Sequence, residues 1–260
     1  FKTPDSDDHR RVETANRRLN ADDGDIPDDI IPEGDETNRL LRWGYRRYRE
    51  IFNSRQLVSL RALLRLIREV PNERHRHALA TVFSDFLRYQ NLLCRYDTYA
   101  LKCQDIFAVH GFPVGLIACE NNLPGTPRVG SGSFIHFVEK FRKAKQYAQQ
   151  PFEMSHDGKR KKVIPIVGES AEAILVAQQP KSAEAWLDCA PSQEFPLHQH
   201  SLDGVFTDPP YFDNVQYAEL MDFCFVWLRR LLGDEIPAFM RASTRTQHEL
   251  TGNDTLNRGL

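Results

Sequence analysis

The chain has 260 residues, of which 41% are apolar and 27% charged, an ordinary mix for a water-soluble protein of one or two domains. Its formal net charge of -2 excludes the strongly basic composition of a simple nucleic-acid coat protein. The longest apolar runs are too short to span a membrane and no signal-peptide pattern opens the sequence, so we expect a cytoplasmic protein without a membrane partner.

The first 36 residues are strongly acidic, with twelve acidic and five basic side chains. Their net charge of -7, in a chain whose net charge is -2, leaves +5 for the remainder. The segment is rich in Asp, Pro and Gly and contains few large apolar residues, so we predict an irregular acidic lead-in over residues 1–36. Because the chain starts with Phe1 and ends in a Thr/Asn/Gly-rich stretch, we expect an internal fragment of a longer protein.

Residues 37–150 are predicted to form a helical module. Thr37 is a candidate N-cap, and Pro71 is expected to end the second helix because the residue before a proline disfavours helical backbone angles. A turn-rich connection precedes the last helix, which is amphipathic and basic. Apolar residues at helical spacing predict helices over residues 37–52, 55–70, 73–96 and 134–150.

The pattern changes after Pro151. The run over residues 163–168 predicts a buried strand and a turn, a weaker helical pattern covers residues 171–178, and the apolar residues 204–206 predict a second strand. Strand, connection, strand and helix is the order of a βαβ unit, in which ligands bind at the carboxyl ends of the strands. We therefore predict that residues 151–260 belong to an α/β domain.

The cysteines and histidines do not predict a metal site. The five cysteines are irregularly spaced without a Cys-x-x-Cys pair, which disfavours a zinc ribbon and a disulfide framework. The pairs His75/His77 and His198/His200 have no carboxylate or cysteine at ligand spacing. Reduced thiols and no bound metal are the expectation.

Asp208, Pro209, Pro210 and Tyr211 directly follow the second predicted strand. The two prolines stiffen this loop and lack N–H donors, which leaves carbonyl oxygens available as acceptors. One group that such acceptors could activate is the exocyclic amino group of adenine, which is a poor nucleophile because its lone pair is delocalised into the ring. The Asp208 carboxylate and the Pro209 carbonyl could each accept one amino hydrogen and direct the lone pair at an electrophilic methyl group. Tyr211 could stack on a base flipped out of a duplex, whereas the competing interpretation of all four residues is a plain turn.

At this motif the chain resembles the aminomethyltransferases with an Asp-Pro-Pro-Tyr motif. More narrowly, it resembles the large prokaryotic adenine-specific DNA methylases that carry an N-terminal domain of unknown function and often a zinc ribbon. The likeness extends over roughly residues 25–235. It rests on the segments DIIPEGDETNRLLRWGYRRYREIFNSRQL, HALATVFSDFLRYQNLLCRYD, DIFAVHGFPVGLIACENN, GSFIHFVEKFRKAKQY and TDPPYFDNVQYAELMDFCFVWLRR.

The resemblance implies that the chain forms part of a Rossmann-like methyltransferase sheet with a largely helical module before it. It implies S-adenosylmethionine as cofactor, adenine in DNA as substrate, and Asp208 to Tyr211 as the catalytic residues. In such enzymes an acidic residue after the preceding strand commonly contacts the adenosine of the cofactor, and Glu169 occupies such a place beside Ser170. A solvated turn is an equally good interpretation of this pair.

The chain departs from the family pattern at the Gly-rich loop that binds the methionine part of the cofactor. The nearest candidate, residues 130–132, is preceded by a poor strand, and a turn before a helix is the favoured interpretation. We therefore expect the remainder of a larger chain, or a partner subunit, to supply this loop.

Two further groups of residues are candidates for contacts with DNA. Phe212, Asn214 and Tyr217 follow the motif closely enough to shape the pocket for the target base, with ordinary packing as the alternative for Tyr217. Basic side chains in the helical module could contact the DNA backbone, although arginine-rich helix faces often bind nothing. The backbone candidates are Arg42, Arg46 and Arg47.

Three functions fit these features. The first is methylation of the N6 amino group of adenine in DNA. The second is the same chemistry on cytosine N4 or on RNA, since those acceptors present a similar amino group. The third is a non-catalytic nucleic-acid-binding or interaction fragment, which the missing Gly-rich loop permits.

Overall fold

The computed structural model describes residues 3–115, 118–127, 131–158, 160–168, 173–175, 185–195, 197–210, 215–246 and 249. The α-helices in these ranges are α1 (Ser6–Ala21), α2 (Thr37–Arg42), α3 (Ser54–Arg68), α4 (Glu73–Leu87), α5 (Phe134–Gln149) and α6 (Tyr217–Leu232). The strands are β1 (Tyr96–Asp97), β2 (Lys102–Cys103), β3 (Phe152–Asp157), β4 (Arg160–Pro165), β5 (Ala173–Leu175) and β6 (Ala185–Leu187). None of the helices described is long and apolar enough to cross a lipid bilayer.

The N-terminal segment contains a helix where we predicted irregular structure, so the prediction for residues 1–36 is wrong over Ser6–Ala21. A capping box starts α1: the Asp5 carboxylate accepts hydrogen bonds from the backbone N–H groups of Asp7 and Asp8, at 3.0 and 3.1 Å. Ala15 is buried, and α1 packs against α3. Our prediction counted large apolar residues, but a good cap and one buried small residue are enough when a neighbouring helix is present.

The predicted helices over residues 55–70 and 134–150 are confirmed by α3 and α5, with ends that shift by one or two residues. The predicted helix over residues 37–52 is too long, because α2 ends at Arg42 and Gly44 then adopts the left-handed region with φ of +94°. A short 3-10 turn, Tyr48–Ile51, follows.

The predicted helix over residues 73–96 is also too long. Helix α4 ends at Leu87, where the Asn91 amide donates hydrogen bonds to the carbonyls of Leu87 and Arg88, both at 3.1 Å. A side chain therefore satisfies carbonyls that a continuing helix would have used.

Contacts divide the chain into two units, of which the first comprises residues 1–141 and 210–260. Helix α6 packs here against α3 and α4, and its Trp227 contacts both Phe52 and Phe83 edge to face, with ring centroids 5.5 and 6.1 Å apart. Phe223 stacks on Phe52 at 5.5 Å. Because this apolar face of α6 is buried against the helical module, the division differs from the predicted boundary between residues 150 and 151.

The second unit comprises residues 142–209. Strands β3 and β4 form an antiparallel hairpin. The strand predicted over residues 163–168 is confirmed for residues 163–165, which belong to β4, but its predicted burial is wrong because all β4 side chains are exposed. Residues 152–157 lie only a tight turn away from β4 and pair with it at a small cost in loop-closure entropy.

Strands β5 and β6 are paired in parallel over three residues each. The predicted helical stretch over residues 171–178 is therefore wrong at Ala173–Leu175. The strand predicted over residues 204–206 is absent as well, since residues 204–210 have no regular secondary structure. The described fold is mixed α/β with small two-stranded sheets, and a Rossmann-like sheet is not shown among these residues.

Candidate functional site

The Asp-Pro-Pro part of the motif lies in an exposed segment without regular secondary structure. Asp208 and Pro209 are exposed and Pro210 is half-buried, while Tyr211 lies outside the described residues. Asp208 forms no hydrogen bond or ion pair with any residue that the structure describes. Its carboxylate is therefore not held in a structural ion pair with those residues, and its oxygens remain available as acceptors.

The other predicted pocket and cofactor residues are described only in part. Phe212 and Asn214, predicted for the base pocket, and Glu169 and Ser170, predicted for the cofactor, lie outside the described residues. Tyr217 is the first residue of α6 and is half-exposed. Its ring is therefore not committed to the core at this end of the helix.

Gly132, in the candidate Gly-rich segment, serves close packing. Its φ is +82°, and a Cβ atom there would lie 2.5 Å from both the Tyr89 ring and the Asn121 amide. The Gly132 carbonyl accepts a hydrogen bond from the buried Gln90 amide at 2.9 Å, just before α5 begins. Gly132 is therefore used in packing before α5, as the turn interpretation of this segment predicts, while Gly130 lies outside the described residues.

The three arginines predicted to contact the DNA backbone differ in their surroundings. The Arg46 guanidinium donates to the carbonyls of Leu41 and Tyr45, at 2.6 and 3.1 Å. Arg47 donates to the Asp28 carbonyl at 2.6 Å and to its carboxylate at 2.8 Å. Arg42 is exposed and has no hydrogen-bond or ion-pair partner in the described part of the chain. Of the three, Arg42 is the one whose guanidinium donors have no partner among the described residues and are free to bind an external anion.

The acidic segment before α2 neutralises arginines of α3. Arg65 donates to Asp22 and to Asp25, both at 2.7 Å, and Arg68 donates to Asp25 at 2.8 Å. The hydrogen bonds from Arg65 hold the pKa of both carboxyl groups below their usual value. These acids and bases are therefore used within the molecule.

A buried carboxylate connects α6 to the start of α2. Glu219 is 1% exposed and accepts hydrogen bonds from the backbone N–H groups of Asp35, Glu36 and Thr37, at 3.2, 2.9 and 3.2 Å. These donors have no helical partner because they precede or begin the helix, so a carboxylate is well suited to this position.

A second buried carboxylate, Asp222, lies one turn further along α6. It accepts hydrogen bonds from Ser243 Oγ at 2.7 Å, from the backbone N–H of Thr244 at 2.7 Å and from Arg245 Nε at 3.1 Å. Burial, and then the negative charge of Asp222, raise the pKa of the Tyr48 hydroxyl. The first turns of α6, directly after the motif, are thus fixed by two buried acids.

The apolar spacing of Leu220, Phe223, Trp227 and Leu231 predicts a packing helix, and the acids Glu219 and Asp222 were not among the predicted site residues. The available signal was a pair of acids three residues apart on the same side as apolar positions such as Phe223. Acids on the buried face of a helix require donors, and those donors lie far away in the sequence.

Metal-ligating clusters and surface grooves are the other features that could form a site in the described residues. No group of three or more His, Cys, Asp or Glu side chains there could hold a metal ion. A groove beside the end of α5 is lined by Lys143, Tyr147 and Phe152 among others, and Asp208 does not line it.

No protein-family model, no curated protein and no solved structure matches the chain.

Proposed function

We propose that the chain is the acceptor-binding part of an S-adenosylmethionine-dependent methyltransferase that modifies the N6 amino group of adenine in DNA. The observation that carries this proposal is the Asp-Pro-Pro-Tyr sequence at residues 208–211, with an exposed Asp208 carboxylate that has no partner among the described residues.

The chemistry assigned to the motif is hydrogen-bond acceptance. The amino nitrogen of adenine carries two hydrogens and a delocalised lone pair. Hydrogen bonds from these hydrogens to the Asp208 carboxylate and the Pro209 carbonyl make the nitrogen pyramidal and localise its lone pair. Since Pro209 and Pro210 lack N–H donors, the loop does not satisfy its own acceptors through those two residues.

Base contact is assigned to the residues that follow. Tyr211 would stack on the flipped adenine, and Phe212, Asn214 and Tyr217 would shape its pocket. The half-exposed ring of Tyr217 at the start of α6 supports this assignment. Arg42, exposed and without a partner in the described ranges, is the best supported of the three predicted phosphate contacts.

S-adenosylmethionine would supply the methyl group. No segment of the sequence matches the family's Gly-rich loop well, so that loop and the rest of a Rossmann-like sheet would come from the remainder of a larger chain or from a partner subunit. Glu169 and Ser170 remain the proposed contacts to the adenosine. The parallel pairing of β5 with β6 supports such a sheet, because parallel strands are its building principle. A substrate of chromosomal DNA would place the enzyme in the cytoplasm.

The test uses the chain together with the further segment or partner subunit that would supply the Gly-rich loop. Transfer of labelled methyl groups from S-adenosylmethionine to DNA is measured, and the modified base is identified by mass spectrometry of the nucleosides. We expect N6-methyladenine. Asp208→Ala should lower the transfer rate by about a hundredfold or more, with little change in DNA affinity, because one of two acceptors for the amino hydrogens is lost.

Asp203→Ala is the matched control, since Asp203 is also exposed and lies five residues upstream in the same segment. It should retain the parent rate. Equal rates for Asp208→Ala and Asp203→Ala would refute the catalytic assignment. N4-methylcytosine as the product, or transfer to RNA in preference to DNA, would refute the assigned substrate while leaving the role of the motif intact.

A further inference from the structure

The hairpin of β3 and β4 projects basic side chains from one end. Six residue pairs connect Phe152–Asp157 to Arg160–Pro165, from Phe152 opposite Pro165 at the base to Asp157 opposite Arg160 beside the turn. Gly158 in the turn has a φ of +60°. A ribbon of six residues per strand is about 20 Å long.

Charge and apolar character are separated along this ribbon. Met154 lies opposite Val163 in the half nearer the base, whereas His156 lies opposite Lys161 in the half nearer the turn. The basic side chains Arg160, Lys161 and Lys162 are all exposed. Among the described side chains, the half of the ribbon nearer the turn is therefore mainly cationic, whereas the half nearer the base is mainly apolar apart from Glu153.

The base of the hairpin is anchored to α5. The Phe152 ring contacts the Tyr147 ring edge to face, with centroids 5.1 Å apart. Lys143 lines the same groove as Tyr147 and Phe152, so a further cation lies beside the base of the hairpin. The aromatic pair therefore packs the first residue of the hairpin against the last turns of α5.

The hairpin cations differ from the arginines of the helical module. Arg47, Arg65 and Arg68 are each neutralised by an aspartate of the acidic segment. Arg160, Lys161 and Lys162 form no hydrogen bond or ion pair with any side chain that the structure describes, and the side chain of Asp157, opposite Arg160, lies outside that set. A cation that is not used within the molecule keeps its full electrostatic interaction with an external anion.

We propose that this hairpin is a DNA-contacting ribbon that binds the phosphates and enters the major groove of a duplex. The major groove of B-form DNA admits a two-stranded ribbon, and phosphate neutralisation by Lys and Arg supplies most of the affinity for DNA. A lipid surface is the weaker match, because insertion would require the apolar residues at the turn rather than at the base. The deep, narrow major groove of double-stranded RNA does not admit such a ribbon.

The inference deepens the proposed function by naming the element that holds its substrate, but its test does not depend on methyl transfer. Binding of the 260-residue chain to a fluorescent duplex of about 20 base pairs is measured by anisotropy over a series of salt concentrations. The test variant carries Arg160→Gln, Lys161→Gln and Lys162→Gln. The matched control carries Arg11→Gln, Arg74→Gln and Lys102→Gln, which removes three exposed cations from elsewhere in the chain.

We expect the hairpin variant to bind about tenfold or more weakly and to lose about 2 to 3 from the slope of log affinity against log salt, since each neutralised phosphate contributes about 0.9. The control should lose less than about threefold in affinity, which reflects the change in net charge alone. Because the substituted side chains are exposed, both variants should melt as the parent does. If the triple variant does not fold, Lys161→Gln alone should reduce the slope by about 0.9.

Equal losses in the two variants would overturn the inference. A loss that appears with RNA duplexes or anionic vesicles and not with DNA would overturn it as well. DNA binding that depends on the hairpin without any methyl transfer by the longer chain would refute the proposed function alone. Transfer that is unaffected by the hairpin variant at limiting DNA would refute the hairpin inference alone.

Discussion

The Glu219 carboxylate lies against Gly34, in the space that a Cβ atom at that position would occupy. Only a glycine at this position lets the carboxylate reach the backbone N–H groups at the start of α2. The acidic segment and the helix after the Asp-Pro-Pro-Tyr motif are thereby held to each other within one unit.

Gly34→Ala is expected to destabilise the protein by about 1 to 3 kcal/mol, because the added methyl group displaces a buried carboxylate from its donors. Gly115→Ala is the matched control, since a Cβ atom there meets no atom of the described residues within 4 Å. Urea denaturation measures the difference. Similar midpoints for the two variants would show that Glu219 has another way to reach the donors.

Trp227→Ala is expected to cost about 3 to 5 kcal/mol, because this side chain is fully buried between the rings of Phe52 and Phe83. Trp227→Phe retains part of the contact and should cost less. The free energy of unfolding is obtained from chemical denaturation followed by far-ultraviolet circular dichroism. A loss below about 1 kcal/mol for the alanine variant would contradict the packing of α6 on the helical module.

Acidification should lower the free energy of unfolding because it protonates Asp22 and Asp25. Hydrogen bonds from Arg65 hold the pKa of both carboxyl groups below the usual value of 3.8. Their contribution to stability is therefore complete above the pKa of the unfolded state and is lost as the pH falls through the lower pKa of the folded state. Denaturation midpoints measured from about pH 6 to about pH 3 should fall at the acid end.

Arg65→Met tests the cause of this acid dependence. The variant should be less stable near neutral pH and should lose less on acidification, because its aspartates titrate closer to their usual pKa. Arg74→Met is the control, since Arg74 is exposed and pairs with no described residue. An acid dependence in Arg65→Met as steep as that of the parent would rule out these ion pairs as its source.

One cysteine should react quickly with a thiol reagent in the native protein. Cys189 is exposed, whereas Cys94, Cys103 and Cys224 are buried. Burial raises the pKa of Cys224 and of Cys119 to about 12, and the neighbouring Cys94 thiol, followed by burial, raises that of Cys103. Thiols react as thiolates, so these groups should be slow near pH 8.

The measurement is a titration with Ellman's reagent before and after denaturation. One equivalent should react in the fast native phase, and all five after unfolding. Cys189→Ser should remove the fast phase. A fast phase of two or more equivalents would show that the region around Cys103 and Cys119 opens readily.

The spacing of apolar residues along the chain predicted helices α3 and α5 to within two residues at each end. The apolar spacing of α3 and α5 is sufficient for their positions, because helical hydrogen bonds connect residues only four apart. The same reasoning overran α2 and α4, where Gly44 and the Asn91 side chain end the helices. It also missed α1, whose stability comes from an Asp5 cap and a neighbouring helix.

The residues at and near the candidate site also differ in whether they could be predicted from the sequence. The Asp-Pro-Pro-Tyr motif could be recognised from the sequence because its chemistry lies in four consecutive residues. The buried acids Glu219 and Asp222 could not, since their donors come from the segments around Thr37 and Thr244. In the sequence, the cationic residues of β4 form only a charged run, and strand β3, which pairs with β4, was not predicted.

The sequence by itself determined the positions of α3 and α5, the donor-poor loop at Asp208 to Pro210 and the acidic character of the first 36 residues. Only the tertiary structure decided which aspartates neutralise which arginines, which strand pairs with residues 160–165, and why Gly34 is a glycine. The reason is that periodicity and loop chemistry depend on neighbours along the chain, whereas strand pairing and the satisfaction of buried charges depend on groups that folding brings together from distant positions.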